Sequence, residues 1–512
     1  MALRIARVFD FAAQPEEDAA ILMRYARHLA AGHGIVWNVG EPPVDGATDF
    51  LFMVLLAGVH AAGLSLEGGA RVLDLLAHAL TVLVVYAGAR RLSGASPTAA
   101  FVSAAFVAAG PGLAYAAAGF GAPLFALTVA LAWYAAMRAA GEDGHGWTVV
   151  FAFLALVMGL ARPEGAWLAV FMLLAVMLAR GGGDSRAVLR SFVTVFATLG
   201  LAYFLWRWWY FGHPLPNPFY KKGGGVLHWD TLRKSFKNVV DLTFPFLLAW
   251  PVGLAFSRTR RQALVSLLPV LAFASMWVLL SDETNYMKRF RYPVVPIVMM
   301  SWPPLLDGLR SRLARPARAA MTIAGLVVAG AAVVHQHRAT APPSRPRAGL
   351  QDMAAMLHGF GGGRYTLAVT ESGLLPLYSE WRALDAWGLN DPWIAHHGGI
   401  TEQYIDRYRP EVVMFHAYYN PLEPPGPRAE TSGLGPAWYR TCRTLQAYAE
   451  RRGYRLAAVF GREPDHTHSY YVRPGFPDAD ALFAAIRDLD YAWYQDGMPS
   501  TNFARAEAEA RP

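Results

Sequence analysis

Long apolar segments separated by short, arginine-rich loops dominate the first two thirds of this sequence of 512 residues. A helix needs roughly 20 predominantly apolar residues to cross a bilayer, and several of these segments reach that length. Hydrophobic residues make up 54% of the chain and charged residues only 16%, whereas soluble domains carry about 25% charged residues. The sequence therefore predicts a polytopic α-helical membrane protein.

About ten spanning helices account for these segments. Arginines cluster in alternate loops, and the positive-inside rule places those loops in the cytoplasm. The remaining loops and both terminal regions then lie outside, so we predict a multi-pass protein of the bacterial inner membrane with its polar regions on the extracytoplasmic face. The predicted spans are 70–91, 97–113, 121–139, 147–162, 164–180, 188–211, 238–257, 262–280, 291–308 and 319–336.

The apolar segment at 50–64 is short for a bilayer, and a full crossing there would reverse the side of every later loop. We expect an interfacial helix lying along the outer surface; an eleventh span is the alternative. This segment ends a polar loop at 1–69, which precedes the bundle at 70–337.

Hydropathy falls after a linker rich in Pro and Arg at 339–349. Short β-rich runs near 365, 411, 454 and 469 then alternate with amphipathic stretches. That alternation predicts an extracytoplasmic α/β domain over 338–512.

The outer loops hold the residues most suited to chemistry. Glu17 and Asp18 begin a segment with Arg24 at helical spacing, and Asn38 and Asp45 follow before the first apolar run. A carboxylate at a bilayer surface can take a proton from a hydroxyl, and neighbouring cations can bind a phosphate. The alternative is that the acids only stabilise a helix N-terminus.

Further charged residues flank the predicted spans on the same face. They are Arg162 and Glu164, the pair Lys221 and Lys222, and the group Lys288, Arg289 and Arg291. Such cations can hold the phosphate of a lipid substrate, or they can simply reach the lipid headgroups as snorkelling side chains. Arg162 and Glu164 can equally form a structural ion pair between helices.

Five motifs occur in an order that resembles one family. They are EDAAILMRYARHLAAGHGIVWNVGEPPVDGATDF at 17–50, LARPEG at 160–165, YFGHPLPNPFYKK at 210–222, MKRFRYPVVP at 287–296, and ESGLLPLYS with LDAWGLND at 371–391. Together they resemble the membrane glycosyltransferases of the GT-C fold, and most closely the cell-wall arabinofuranosyltransferase-like proteins. The match extends over nearly the whole chain.

The resemblance implies a GT-C-like bundle of ten to eleven spans and an enzyme that moves a sugar from a polyprenyl-phosphate donor to the hydroxyl of an envelope glycan or glycolipid. Asp18 or Glu17 would be the general base. The residues expected to bind substrate are Arg24, Asn38, Asp45, Arg162, Glu164, Asn217, Tyr220, Lys221, Lys288, Arg289 and Arg291.

The chain also departs from the family pattern. The family's Gly-Leu-Glu-Thr-Pro is GFGAP at 119–123, so its carboxylate is missing, and Glu371 stands where an Asp is expected. Only sixteen residues precede Glu17, where members have a first span; either the start lies upstream or the chain begins outside. These departures favour, as an alternative, a catalytically degenerate assembly factor of the envelope.

Other classes of function have less support. A net charge of +8 does not predict nucleic-acid binding, because the arginines flank apolar segments. A transporter would be expected to show repeated halves, and no internal repeat is visible in this sequence. The single cysteine, Cys442, excludes an intrachain disulfide. No cofactor is firmly implied: a divalent metal at the acidic pair stays open, but the sequence offers no complete ligand set, and no metal site is predicted.

Overall fold

A computed structural model of the chain describes residues 11, 14–141, 145–181, 185–281, 286–340, 349–432, 435–494 and 497–510. The linker proposed at 339–349 lies largely outside the described residues. Most of the remaining chain forms a bundle of apolar helices, followed by one mixed α/β domain.

Within the described residues, seven helices are long and apolar enough to cross a membrane, or eight if one bent pair counts as a span. The seven are Leu66–Leu92, Pro97–Ala118, Ala122–Ala140, Pro163–Arg180, Arg186–Phe211, Ser257–Leu279 and Arg315–Arg338. The predicted fold class, a helical membrane bundle with a C-terminal α/β domain, is confirmed.

The described helices provide fewer full-length spans than the ten to eleven predicted. The predicted span at 238–257 is the bent pair, Trp229–Thr243 and Phe246–Ala255, which turns by 101°. Pro245 lies in the break and has no N–H to continue the helix. The spans predicted at 147–162 and 291–308 correspond to His145–Ala161 and Val295–Leu305, which are only 17 and 11 residues long.

Two helices precede the first long span. The first, Glu17–Ala30, begins at the acidic pair and is called the acidic helix below. The second, Phe50–Ala61, has 12 residues and is too short to cross a bilayer. Shorter helices between the long spans are Asn217–Gly223, Asp307–Arg310 and the 3₁₀ segment Tyr286–Val294.

The α/β domain contains one six-stranded mixed sheet in the order β2-β1-β3-β5-β4-β6. The strands are β1 Thr366–Val369, β2 Arg382–Asp385, β3 Val412–Ala417, β4 Arg455–Glu463, β5 His466–Val472 and β6 Thr501–Asn502. Strand β1 is parallel to β2 and β3, and the other pairs are antiparallel. The four predicted β-rich runs are confirmed; β2 and β6 were not predicted from the sequence.

Helices cover both faces of this sheet. They are Gly349–His358, Leu374–Ser379, Pro392–His396, Glu402–Tyr408, Pro436–Arg451, Ala479–Arg487 and Phe503–Ala510. On one face, the buried residues of the acidic helix join the core of the sheet, where Tyr25 and Trp37 share a cluster with Leu367 and Tyr470. The acidic helix is therefore held by the α/β domain, which fixes the position of the acidic pair.

Candidate active site at the acidic pair

The two acids at the start of the acidic helix have different partners. Glu17 accepts hydrogen bonds from the backbone N–H groups of Gly373 and Leu374, the latter at 3.0 Å. Asp18 Oδ2 lies 2.5 Å from Arg289 Nη2, and the Asp18 side chain remains 36% exposed. Glu17 is therefore tied to the α/β domain, whereas Asp18 is open to a substrate.

Glu17 does not act as a hydrogen-bonding cap of its own helix, because its carboxylate is bonded to another segment. The residue before it, Glu16, is at the N-cap position and makes no side-chain capping bond. Burial raises the pKa of Glu17, and the nearby charge of Glu371 raises it further. Burial likewise raises the pKa of Glu371. Since two buried carboxylates cannot easily ionise together, this pair retains a proton more readily than exposed acids do.

An unusual backbone turn brings Arg289 to Asp18. Met287 and Lys288 have φ values of 57° and 60°, in the left-handed region that residues other than glycine rarely adopt. The guanidinium carbon of Arg289 lies 4.1 Å from the centroid of the Phe120 ring and 4.5 Å from that of Phe290. Strained backbone of this kind is often found at functional sites, and here it orients the cation that contacts the acidic pair.

Arg162 and Glu164 form the ion pair that the sequence left as an alternative, with Nη2 3.0 Å from Oε1. Arg162 has a second carboxylate partner, Asp49, at 2.6 Å. Arg162 also lines a small cavity together with Asp49 and Arg289. The pair is thus structural in its contacts, and Arg162 borders the same cavity as Arg289, the partner of Asp18.

Lys222 interacts electrostatically with the acidic pair through Asp18. Burial lowers the pKa of Lys222 to about 8; the Asp18 charge opposes this shift, while the charges of Arg289 and Arg162 add to it. Lys221 places its ammonium 4.0 Å from the centroid of the Trp387 ring.

A cavity of about 650 Å³ lies where the membrane bundle meets the α/β domain. Its lining combines cations with aromatic rings, including Lys221, Lys222, Trp387 and the tilted ring pair Tyr220 and His396, whose ring centroids are 4.1 Å apart. Aromatic faces and cations together suit a sugar phosphate. Tyr220, predicted from the sequence as a substrate contact, borders this cavity.

Four of the other predicted binding residues hold the outer loop, the bundle and the α/β domain together. Arg24 donates to the carbonyls of Trp37 and Trp381 at 2.9 and 3.0 Å and to Asn38 Oδ1 at 3.1 Å. Asn38 in turn accepts from the N–H of Ala383 at 2.9 Å. Both side chains are buried, and these contacts are with other parts of the protein.

Asp45 and Asn217 also contact other parts of the protein. Asp45 forms a buried ion pair with Arg207 of a spanning helix. Asn217 Nδ2 donates to the carbonyls of Gly388 and Leu389, each at 3.0 Å. Both residues link the bundle, the outer loop and the α/β domain, which makes them positioning residues in this structure.

Lys288 and Arg291 point away from Asp18. Lys288 Nζ lies 2.7 Å from Asp241 Oδ2. Arg291 is fully buried, donates to Ser235 Oγ at 3.1 Å, and lies 4.1 Å from the centroid of the Trp277 ring. Of the predicted basic triplet, the structure brings only Arg289 to the acidic pair.

Gly121 is the position in GFGAP where the family pattern has a glutamate. A side chain has no room there, because an added Cβ would lie 2.8 Å from Phe52 Cγ and 2.9 Å from Phe52 Cβ. Distances under about 3.0 Å force a neighbour to move. Phe52 therefore occupies the space that a side chain at 121 would need.

Sequence reasoning gave no individual role to Asp49 or Trp387, whose contacts depend on distant segments. Both lie inside matched motifs, Asp49 in the one at 17–50 and Trp387 in LDAWGLND at 384–391, and those motifs were the local signal for them. Lys222 was named beside Lys221 as a candidate cation.

Comparisons with known proteins agree with this architecture. Residues 343–475 match a family described as a domain of unknown function, DUF8728. The terminal beta-(1->2)-arabinofuranosyltransferase of Mycobacterium tuberculosis (strain ATCC 25618 / H37Rv) is 26% identical over 274 residues. The aligned part is 50% of this chain and 43% of that relative, so the chain matches less than half of the relative's length.

The fold is similar to solved structures of ArnT from Cupriavidus metallidurans. The apo structure superposes with a TM-score of 0.57 and 14% identity, covering 92% of this chain and 96% of that one. The structure bound to undecaprenyl phosphate gives 0.56 with the same identity and coverage. These matches define a polytopic membrane protein with the GT-C fold of membrane glycosyltransferases. Half of the chain is in addition similar to an arabinofuranosyltransferase, the likeness that its ordered motifs predicted.

Proposed function

We propose that this protein is a glycosyltransferase that moves a sugar from a polyprenyl-phosphate donor to a hydroxyl of an envelope glycan or glycolipid. The observation that carries the proposal is the contact of an accessible carboxylate, Asp18, with a buried cation, Arg289, beside Lys222. The arabinofuranosyltransferase and the ArnT structure with undecaprenyl phosphate support the reaction class and the lipid carrier.

The reaction assigns one task to each group. Asp18 takes the proton from the acceptor hydroxyl while the oxygen of that hydroxyl bonds to the anomeric carbon of the donor sugar. The bond from that carbon to the phosphate oxygen breaks, and the polyprenyl phosphate leaves with the electron pair. Arg289 and Lys222 stabilise the negative charge that develops on the leaving phosphate. Glu17 holds the start of the acidic helix against Gly373, which positions Asp18.

We place this site on the extracytoplasmic face of the bacterial inner membrane. Arg91, Arg138, Arg258 and Arg261, from three of the arginine-rich loops, line one common cavity. These arginines therefore lie at one end of the bundle, as expected if the arginine-rich loops all lie on the same side of the membrane. The positive-inside rule assigns that side to the cytoplasm.

Cysteine labelling tests this orientation. In a Cys442→Ser background, Thr431→Cys is expected to react with a membrane-impermeant thiol reagent in intact cells, and Ser257→Cys only after lysis. Both positions are exposed, in the α/β domain and in an arginine-rich loop respectively, whereas Cys442 is buried. Labelling of Ser257→Cys alone in intact cells would reverse the topology.

Donor binding tests the role of Arg289. We expect Arg289→Ala to weaken binding of undecaprenyl phosphate to the purified protein by roughly 10- to 100-fold, because a hydrogen bond to a charged group is worth about 1.5–3 kcal/mol. Sugar transfer from a polyprenyl-phosphate arabinofuranose should fall in parallel. Lys237→Ala is the matched control, since Lys237 is 71% exposed and pairs with Asp241 on the surface. Equal affinities for the two variants would remove Arg289 from the donor site.

A second candidate function, an assembly factor that has lost catalysis, is favoured by the packing of Phe52 against Gly121. It predicts normal lipid binding with no transfer by the unmodified protein. The transfer assay therefore separates the two functions directly.

A further inference from the structure

A second group of ligand-type side chains lies in the α/β domain and takes no part in the proposed transfer. Glu371, His416 and His468 each offer one oxygen or nitrogen atom, and these atoms all lie within 4.8 Å of one another. Both histidines are buried, and Glu371 is 15% exposed. The cluster is therefore shielded from most of the solvent.

The sheet fixes this arrangement. His416 on β3 and His468 on β5 are direct partners in the antiparallel register, where facing side chains lie about 4.5–5.5 Å apart at Cβ. Glu371 follows the end of β1, which is parallel to β3. The Thr370 hydroxyl accepts a hydrogen bond from the His416 N–H at 2.9 Å, which ties this loop to β3. The three ligands are thus held on rigid elements.

His468 has a ring nitrogen with nothing to bind among the described residues. Its Nε2 is buried without a hydrogen-bond partner, while its Nδ1 lies 2.6 Å from the hydroxyl of Tyr491. A buried polar atom left unpaired costs about 1–3 kcal/mol. A metal ion satisfies such a nitrogen, and a hydrogen bond at the other ring nitrogen is the usual outer-shell support of a histidine ligand.

His416 has close partners at both of its ring nitrogens. His416 Nδ1 lies 2.6 Å from Glu371 Oε1, and its Nε2 lies 2.7 Å from Nε2 of a third histidine, His466. His468 is close as well, with its ring centroid 4.6 Å from that of His416. The ligand atoms of Glu371, His416 and His468 thus surround one small space, and an ion bound there would lie about 2.0–2.2 Å from each of them.

We propose that Glu371, His416 and His468 bind a divalent transition-metal ion. Two imidazole nitrogens and one carboxylate oxygen form a ligand set that suits Zn²⁺ rather than Mg²⁺ or Ca²⁺, which prefer oxygen ligands alone. Three protein ligands leave a further coordination position for water or another small ligand. The proposal does not depend on the glycosyltransferase activity.

Metal analysis of the full-length protein tests the site. Protein purified with a tag free of histidine, loaded with Zn²⁺ and freed of excess ion is expected to retain about one equivalent, and Co²⁺ should give the visible absorption of a tetrahedral nitrogen and oxygen site. His468→Gln and Glu371→Gln should each lose the bound metal and the Co²⁺ absorption. His358→Gln, at an exposed histidine of the same domain, should keep both.

A further variant guards against misfolding. Tyr491→Phe removes only the hydroxyl next to His468 Nδ1, and we expect about 10-fold weaker Zn²⁺ binding with the Co²⁺ absorption retained at higher metal concentration. Wild-type protein that retains neither Zn²⁺ nor Co²⁺ would overturn the proposal. So would His468→Gln protein that binds one equivalent as tightly as wild type.

Discussion

Asp18→Asn is expected to lower the rate of sugar transfer by about 10²–10⁴-fold, the usual contribution of a general base. The amide has the size of the carboxylate and can still accept a hydrogen bond from Arg289, but it cannot take a proton from the acceptor hydroxyl. Binding of undecaprenyl phosphate and the thermal unfolding temperature should both stay close to wild type. Transfer is measured from a polyprenyl-phosphate arabinofuranose to a glycan acceptor.

Glu17→Gln is the companion variant. Its amide keeps an oxygen for the N–H groups of Gly373 and Leu374, so transfer should fall less than in Asp18→Asn. A loss confined to Glu17→Gln would name that residue as the base. Near-normal transfer in both variants and in the double variant would contradict general-base catalysis at this pair.

Gly373→Ala should also lower the rate of sugar transfer strongly, because the substitution disrupts the contact between Gly373 and Glu17 that holds the acidic pair. An added Cβ would lie against the backbone carbonyl of Glu17, at 2.7 Å from its carbon, and 2.9 Å from the Glu17 carboxyl carbon. Backbone atoms cannot move away as a flexible side chain can. We expect a loss of about 1–3 kcal/mol in stability, typical of overpacking, together with a strong loss of transfer.

Gly399→Ala is the control for this substitution. Gly399 lies in the same domain, and an added Cβ there would meet nothing within 4 Å. Thermal unfolding and transfer should be unchanged in this variant. If Gly373→Ala behaves in the same way, the approach of Glu17 to the α/β domain does not position the acidic pair.

The sequence predicted the parts of the fold that depend on local composition. Apolar segments of spanning length mark the long helices, and short β-rich runs mark β1, β3, β4 and β5. The lengths of the spans were less predictable, because single prolines such as Pro245 end or bend a helix within an apolar segment.

The candidate site was predicted in part, through motifs rather than geometry. The acidic pair and Arg289 were both named as charged residues of the outer loops and lie in the matched motifs, and the structure brings Asp18 and Arg289 together. Arg24 and Asn38 were named as binding residues as well, and their contacts are with the protein itself. A motif marks a residue as important without distinguishing substrate contact from support of the site.

By itself, the sequence determined that this chain is a helical membrane protein with an α/β domain, since helix length, hydropathy and β-rich runs are properties of neighbouring residues. Its GT-C type was predicted from the resemblance of its ordered motifs. Only the tertiary structure decided which charges meet. Asp18 and Arg289 are separated by 271 positions, and His416 meets His468 through the register of two strands. Such contacts arise from packing between distant segments, for which no local pattern of residues provides a signal.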